Sequence, residues 1–279
     1  MGRVDGDFAG RTDRRDGVWG TVGVFTVVAS LAAGTLGAVQ PATGIPQEVV
    51  QLTQFGPALA VGAVALYRRR QTRELLRGAA GSGAGPRPLG GAVLFAAAGL
   101  IVLLCVLGYY AVRGEAPFTS PGSLQQPFTL IVVAQLVGAC GEEVGWRCFL
   151  QPLLRTRLGT VAASVTVGML WGVWHVQVFA QAPAYAAGFL VATVAMSVVL
   201  GIALDGLGGW RRLLYAGGFH ALVNLGLLLF LDEESGAVPP MLCFGLSCLV
   251  VAVLAVVLRG GQCAPERAAV TAAATLHRT

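Results

Sequence analysis

An all-α fold, a polytopic transmembrane helical bundle of about eight spans with both termini cytoplasmic, is what this sequence predicts. Three observations predict it. Of 279 residues, 55% are hydrophobic and 12% charged, whereas an ordinary soluble domain is about 25% charged. The apolar residues fall in continuous runs near the roughly 20 residues a helix needs to cross a bilayer, without the period-two alternation of a membrane strand. The arginines, finally, gather in every second connection between those runs.

The runs are 18–39, 49–67, 90–112, 128–154, 161–179, 184–204, 213–231 and 238–258. The first follows a polar segment, 1–17, and is too long for a signal-peptide core, so it reads as an uncleaved first helix. After the second run come Arg68, Arg69, Arg70, Arg73, Arg77 and Arg87. The Gly-rich stretch 77–88 within that connection has no strand before it and reads as a flexible linker rather than a phosphate cradle. Arginines recur after the fourth run (Arg155, Arg157), after the sixth (Arg211, Arg212) and in the tail (Arg259, Arg267, Arg278). The alternate connections hold only Arg113 and carry the acidic run Asp232, Glu233 and Glu234. By the positive-inside rule, this alternation fits eight crossings with both ends in the cytoplasm.

The organisation expected is therefore a cytoplasmic segment 1–17, a transmembrane domain 18–258 and a disordered cytoplasmic tail 259–279, in a multi-pass protein of the cell membrane. All 19 basic residues are arginine and the net charge is +5. They sit in short loops rather than in a stripe on one face, so the bilayer is the expected partner and nucleic acid is not. The six cysteines form no CxxC pair or finger spacing and read as small apolar residues.

One stretch does not suit a membrane span. "GACGEEVGWRCFLQPLL" places Glu142, Glu143 and Arg147 in the fourth run, although a charge at the bilayer centre costs about 2.5–3.5 kcal/mol on insertion scales. Glu143 and Arg147 are four apart with the acid first, the favoured order for an ion pair on one helix. Glu142 has Gly145 and Trp146 at its own i+3 and i+4 positions, so a balancing group must come from elsewhere in the fold. That makes it the candidate general base.

Two of the three histidines also fall within apolar runs. His175 ends "WGVWH" in the fifth run; His220 opens "HALVN" in the seventh, with Asn224 one turn on and facing the same way. Counted from the cytoplasmic ends at about 1.5 Å per residue, Glu142 lies about 18 Å deep, His220 about 13, Asn224 about 19 and His175 about 21. All four can reach one polar chamber, with Trp146, Trp171 and Trp174 packing its walls. Taken singly, each has a bland explanation: a buried ion pair for Glu143 and Arg147, an interhelical hydrogen bond for a lone histidine or asparagine. Ionisable residues on three helices point instead to an active role.

"EEVGWR", "WGVWH" and "HALVN", in that order over residues 128–231, resemble the CPBP family of intramembrane proteases. These are the CAAX proteases and bacteriocin-processing enzymes, also called the Abi family, and the chain is similar to their type II CAAX prenyl endopeptidases. Cys148 departs from the pattern, which usually has glycine after the arginine. The resemblance implies hydrolysis of peptide bonds in membrane-associated proteins or peptides. Glu142 and His175 would hold and deprotonate a water, His220 and Asn224 would stabilise the oxyanion, and Arg147 would keep Glu143 ionised. His175, His220 and Glu142 also match a catalytic zinc shell with one open position, but the HExxH pair is absent. A glutamate-activated water is favoured and zinc is left open. Two other functions compete: a non-enzymatic immunity or scaffold protein of the same fold, and a proton- or cation-coupled transporter. A transporter should show repeated halves and broken helices, neither of which the sequence displays.

Overall fold

Every apolar run contains a helix, because in hydrocarbon a helix satisfies its own backbone N–H and C=O groups. The computed structural model describes residues 5–78, 91–115, 118–231 and 236–276, with side chains described between 17 and 260 of that set. Most of the Gly-rich linker at 77–88 and the acidic run Asp232, Glu233 and Glu234 lie outside the described residues. Among the described residues there is no strand.

Helix α1 (Asp5–Thr43) is followed by a 3-10 turn (Leu52–Phe55), α2 (Gly56–Tyr67) and α3 (Arg69–Arg77). Next come α4 (Gly91–Arg113), α5 (Phe128–Glu143), a π-helical segment (Val144–Leu150) and α6 (Gln151–Arg155). Helices α7 (Thr160–Trp174), α8 (Pro183–Ala203), α9 (Gly209–Phe230) and α10 (Val238–Leu276) complete the chain. The backbone of α10 passes through much of the segment whose composition suggests a disordered tail.

Among the described residues, six stretches are long and apolar enough to cross a membrane: Gly17–Thr43, Gly91–Arg113, Phe128–Arg155, Pro183–Ala203, Gly209–Phe230 and Val238–Gly260. The two remaining runs of the expected eight form shorter apolar helices, Leu52–Tyr67 and Thr160–Trp174. At about 1.5 Å per residue, these reach roughly 22–24 Å, short of a hydrocarbon core about 30 Å thick. The reasons are local. The backbone of Arg68 leaves the helical region at φ −125°, ψ 42° and ends α2. His175 does the same at φ −77°, ψ 64° and ends α7. The outward surface is that of a membrane protein: Val27 and Leu31 on α1, Leu103 and Leu107 on α4, and Leu246 and Val257 on α10 are all more than half exposed.

The chain divides into two compact units. The first comprises Met1–Gly81, Ser120–Gly159 and Gly208–Ala221. In it, buried Gln40 ties the end of α1 to the connection that follows. Its amide nitrogen donates to the carbonyls of Val50 (2.8 Å) and Ile45 (3.3 Å), and its oxygen accepts from the Leu52 N–H at 2.9 Å. The second comprises Ser82–Thr119, Thr160–Leu207 and Leu222–Thr279. Its helices meet at small residues: a Cβ on Gly168 of α7 would lie 2.6 Å from Val194 Cα of α8, and one on Gly245 of α10 would lie 2.6 Å from the Gly188 carbonyl of α8. Such close backbone approach is how helices associate where no hydrophobic force separates protein from lipid. An ion pair closes one end of this unit. Arg259 donates to Asp205 at 2.5 Å, and Asp205 also accepts from the Thr160 hydroxyl at 3.0 Å.

Candidate active site

The glutamates close α5, and from the next residue the helix changes register. Val144–Leu150 is π-helical, and the N–H of Gln151 donates to the carbonyl of Trp146, five residues back. Pro152 supplies the cause: it has no N–H for the Cys148 carbonyl, and its ring crowds that oxygen, so the α-helical ladder gives way before it. Single π turns inside α-helices are frequent at functional sites. Reading 128–154 as one uniform α-helix is thereby corrected.

Glu143 and Arg147 remain partners across the change of register. Arg147 Nε lies 3.4 Å from Glu143 Oε2, with side chains 1% and 0% exposed. The other carboxylate oxygen of Glu143 takes a second partner from a distant part of the chain, His220 Nδ1 of α9, at 2.9 Å. A carboxylate can only accept, so Nδ1 carries the hydrogen and His220 is held with Nε2 pointing away from Glu143. Glu142 is buried at 2% exposure, and its charge reaches both Arg147 and His220. The first unit thus gathers four of the six expected polar residues into one enclosed cluster. The sequence identified Glu143 with Arg147 but not with His220; a contact spanning 77 positions leaves no local signal.

Apart from Trp146, what encloses the cluster was not foreseen from the sequence. Gly138, Gly141 and Gly145 present a face without side chains, and the start of the second apolar run lies against it. A Cβ on Gly141 would meet Phe55 Cδ1 at 2.8 Å, and one on Gly145 would meet the backbone carbon and oxygen of Pro57, each at 2.9 Å. On another side, Trp146 packs edge-on to Phe25 of α1 at 5.3 Å. The glycine spacing of three and four was the available sign, since it marks one face of a helix. Gly145→Ala must push backbone aside and is expected to destabilise the fold by about 1–3 kcal/mol. Gly20→Ala, where a Cβ meets nothing within 4 Å, is expected to be neutral. Thermal unfolding in detergent would compare them, and an unaffected Gly145→Ala protein would refute this account of the enclosure.

His175 and Asn224 belong to the second unit. His175 stands just past the end of α7, where its Nδ1–H donates to the Trp171 carbonyl at 2.9 Å. Nε2 of the neutral ring is therefore left with its lone pair. Trp174 and Phe189 each set a ring about the imidazole, both at a centroid distance of 4.9 Å. Trp171 and Trp174 are buried. Asn224 is half-buried on α9, one turn beyond His220. Among the described residues, no three His, Cys, Asp or Glu side chains form a group that could hold a metal ion.

Comparison with known proteins agrees with the motifs. Residues 124–226 match the family described as type II CAAX prenyl endopeptidase Rce1-like. Lysostaphin resistance protein A of Staphylococcus aureus is 27% identical over 168 residues in strains MRSA252, bovine RF122 / ET3-1 and Newman. That alignment takes in 58% of this chain and spans 40% of the length of each relative. Over residues 124–226, then, this membrane protein is similar to the family described as type II CAAX prenyl endopeptidase Rce1-like.

Proposed function

We propose that the chain is an intramembrane endopeptidase acting on membrane-associated proteins or peptides. The observation that supports this most is the enclosed cluster of Glu142, Glu143, Arg147 and His220, inside a region matched by an endopeptidase family. Burying such groups costs several kcal/mol per ion before pairing repays it. Arg147 and His220 hold Glu143, and the proposal gives Glu142, beside them, the role of base.

In this proposal, Glu142, His175, His220 and Asn224 act on the scissile peptide. Glu142 takes one proton from a water, whose other hydrogen is held by the lone pair on His175 Nε2. The hydroxide attacks the carbonyl carbon, and negative charge moves to the carbonyl oxygen. Two carboxylates against one guanidinium leave a single negative charge in the cluster, which a protonated His220 balances. Its Nδ1–H stays on Glu143 while Nε2–H donates to the oxyanion, and the Asn224 amide is the second donor. Glu142 then returns its proton to the leaving nitrogen as the C–N bond breaks. The histidine donor in this scheme is an imidazolium, because the ring N–H of the neutral form is engaged by Glu143. Such donors act most strongly where water is excluded.

The test is cleavage of a library of membrane peptides by the purified chain in vesicles, with new termini read by mass spectrometry. Asn224→Ala is expected to lower kcat by about 10²–10³ with little change in KM, as for one lost oxyanion donor. A KM effect with unchanged kcat would assign Asn224 to substrate binding instead. The absence of any cleavage by the wild type would reject the enzyme reading.

The same proposal puts both termini in the cytoplasm, with the two short helices completing eight crossings. Single cysteines placed in 79–87 and at Glu233 are then expected to be labelled from opposite sides of the membrane. Labelling of both from one side would overturn the topology.

A further inference from the structure

Helix α3 is built differently from the rest of the chain. Its sequence, RRQTRELLR, begins directly after the apolar helix α2. Thr72 and Leu75 are buried, and α3 packs on α2 and on the π-helical segment. The opposite face is exposed at Arg69, Arg70, Arg73 and Arg77. These four arginines and Glu74 line an open recess of about 530 Å³. Among the described residues, only Arg70 has a counter-charge within the recess, its Nε lying 2.9 Å from Glu74. The recess is therefore strongly cationic.

Two aromatic residues mark the level of this helix. Tyr67, at its start, is 54% exposed, with the Arg68 guanidinium 5.9 Å from its ring centroid. At its end, Gly78 abuts Gly208 so closely that a Cβ on Gly78 would lie 2.5 Å from Gly208 Cα. Two residues on, Trp210 is 67% exposed under the Arg211 guanidinium at 5.5 Å. Exposed Trp and Tyr beside the end of an apolar helix belong to the headgroup level of a bilayer. A cluster of four or more arginines at that level attracts anionic lipid, and guanidinium forks pair with phosphate in two-point geometry.

We infer that the outer face of α3, through Arg69, Arg73 and Arg77, is a docking surface for anionic phospholipid headgroups. Arg70 and Glu74 form its rim, and Tyr67 and Trp210 flank it. A headgroup bound there presses α3 onto the π-helical segment that carries Arg147. The inference is independent of whether the chain cleaves peptides.

Native mass spectrometry of the full chain tests it, with protein released from micelles holding equal amounts of phosphatidylglycerol and phosphatidylcholine. Wild type is expected to retain phosphatidylglycerol over phosphatidylcholine by about tenfold or more, given several arginines at the headgroup level. Arg69→Ala/Arg73→Ala/Arg77→Ala should lose that preference while keeping its size-exclusion profile. If the triple variant does not fold, Arg73→Glu alone carries the test and should at least halve the preference. Equal retention of the two lipids by wild type, or an unchanged preference in the variant, overturns the inference. So does displacement of the lipid by excess inorganic phosphate, which would make this a site for soluble phosphate.

Discussion

Arg147→Ala is expected to remove most of the folded protein from the membrane fraction. The guanidinium is 1% exposed and its partner Glu143 is fully enclosed, so the substitution leaves a buried carboxylate held by His220 without its permanent counter-charge. Breaking a buried pair from one side typically costs about 3–5 kcal/mol, a large part of the roughly 5–15 kcal/mol by which folds are stable. The loss should appear as a lowered unfolding temperature and an aggregated size-exclusion profile before any assay of activity. A variant as stable as wild type would show that Arg147 does not hold the cluster together.

Glu142→Gln should behave in the opposite way. The amide keeps the shape of the side chain and removes one charge from a buried cluster, so folded yield should equal or exceed that of wild type. Proton transfer from water then has no base, and cleavage should fall by about 10²–10⁴-fold. Comparing the termini of membrane peptides from cells carrying wild type or Glu142→Gln would measure this and reveal natural substrates. If Glu142→Gln misfolds while Arg147→Ala still cleaves, the structural and chemical roles are reversed.

The two variants divide along the same line as what could be read from the sequence. Charge against hydropathy singled out Glu142, Glu143 and Arg147, because a carboxylate in hydrocarbon is conspicuous without any fold. Spacing linked Glu143 to Arg147 and His220 to Asn224, because partners one helical turn apart share a face. The link between Glu143 and His220 had no such mark, since chain topology alone brings those positions together. Nor did hydropathy reveal where helices stop. The fifth run continues apolar through Phe179, but the backbone turns at His175, and composition does not encode that turn. Pro152 was a usable sign of irregularity; converting it into a π turn required knowing that the helix continues on the far side.

The π segment has a consequence for what counts as a self-sufficient piece of this chain. A bilayer tolerates departures from regular helical hydrogen bonding only where protein, rather than lipid, surrounds them. Gly145 through Leu150 are all buried, and the burial is partly supplied by Phe25 of α1 and Pro57 of α2. Both precede the stretch 124–226 that matches the Rce1-like family. Excised at 124 and 226, that stretch would bring its candidate residues without Phe25 and Pro57, and the π segment would lose that part of its cover. The border of likeness and the border of self-sufficient packing therefore differ here: the matched stretch relies for part of its cover on the N-terminal helices.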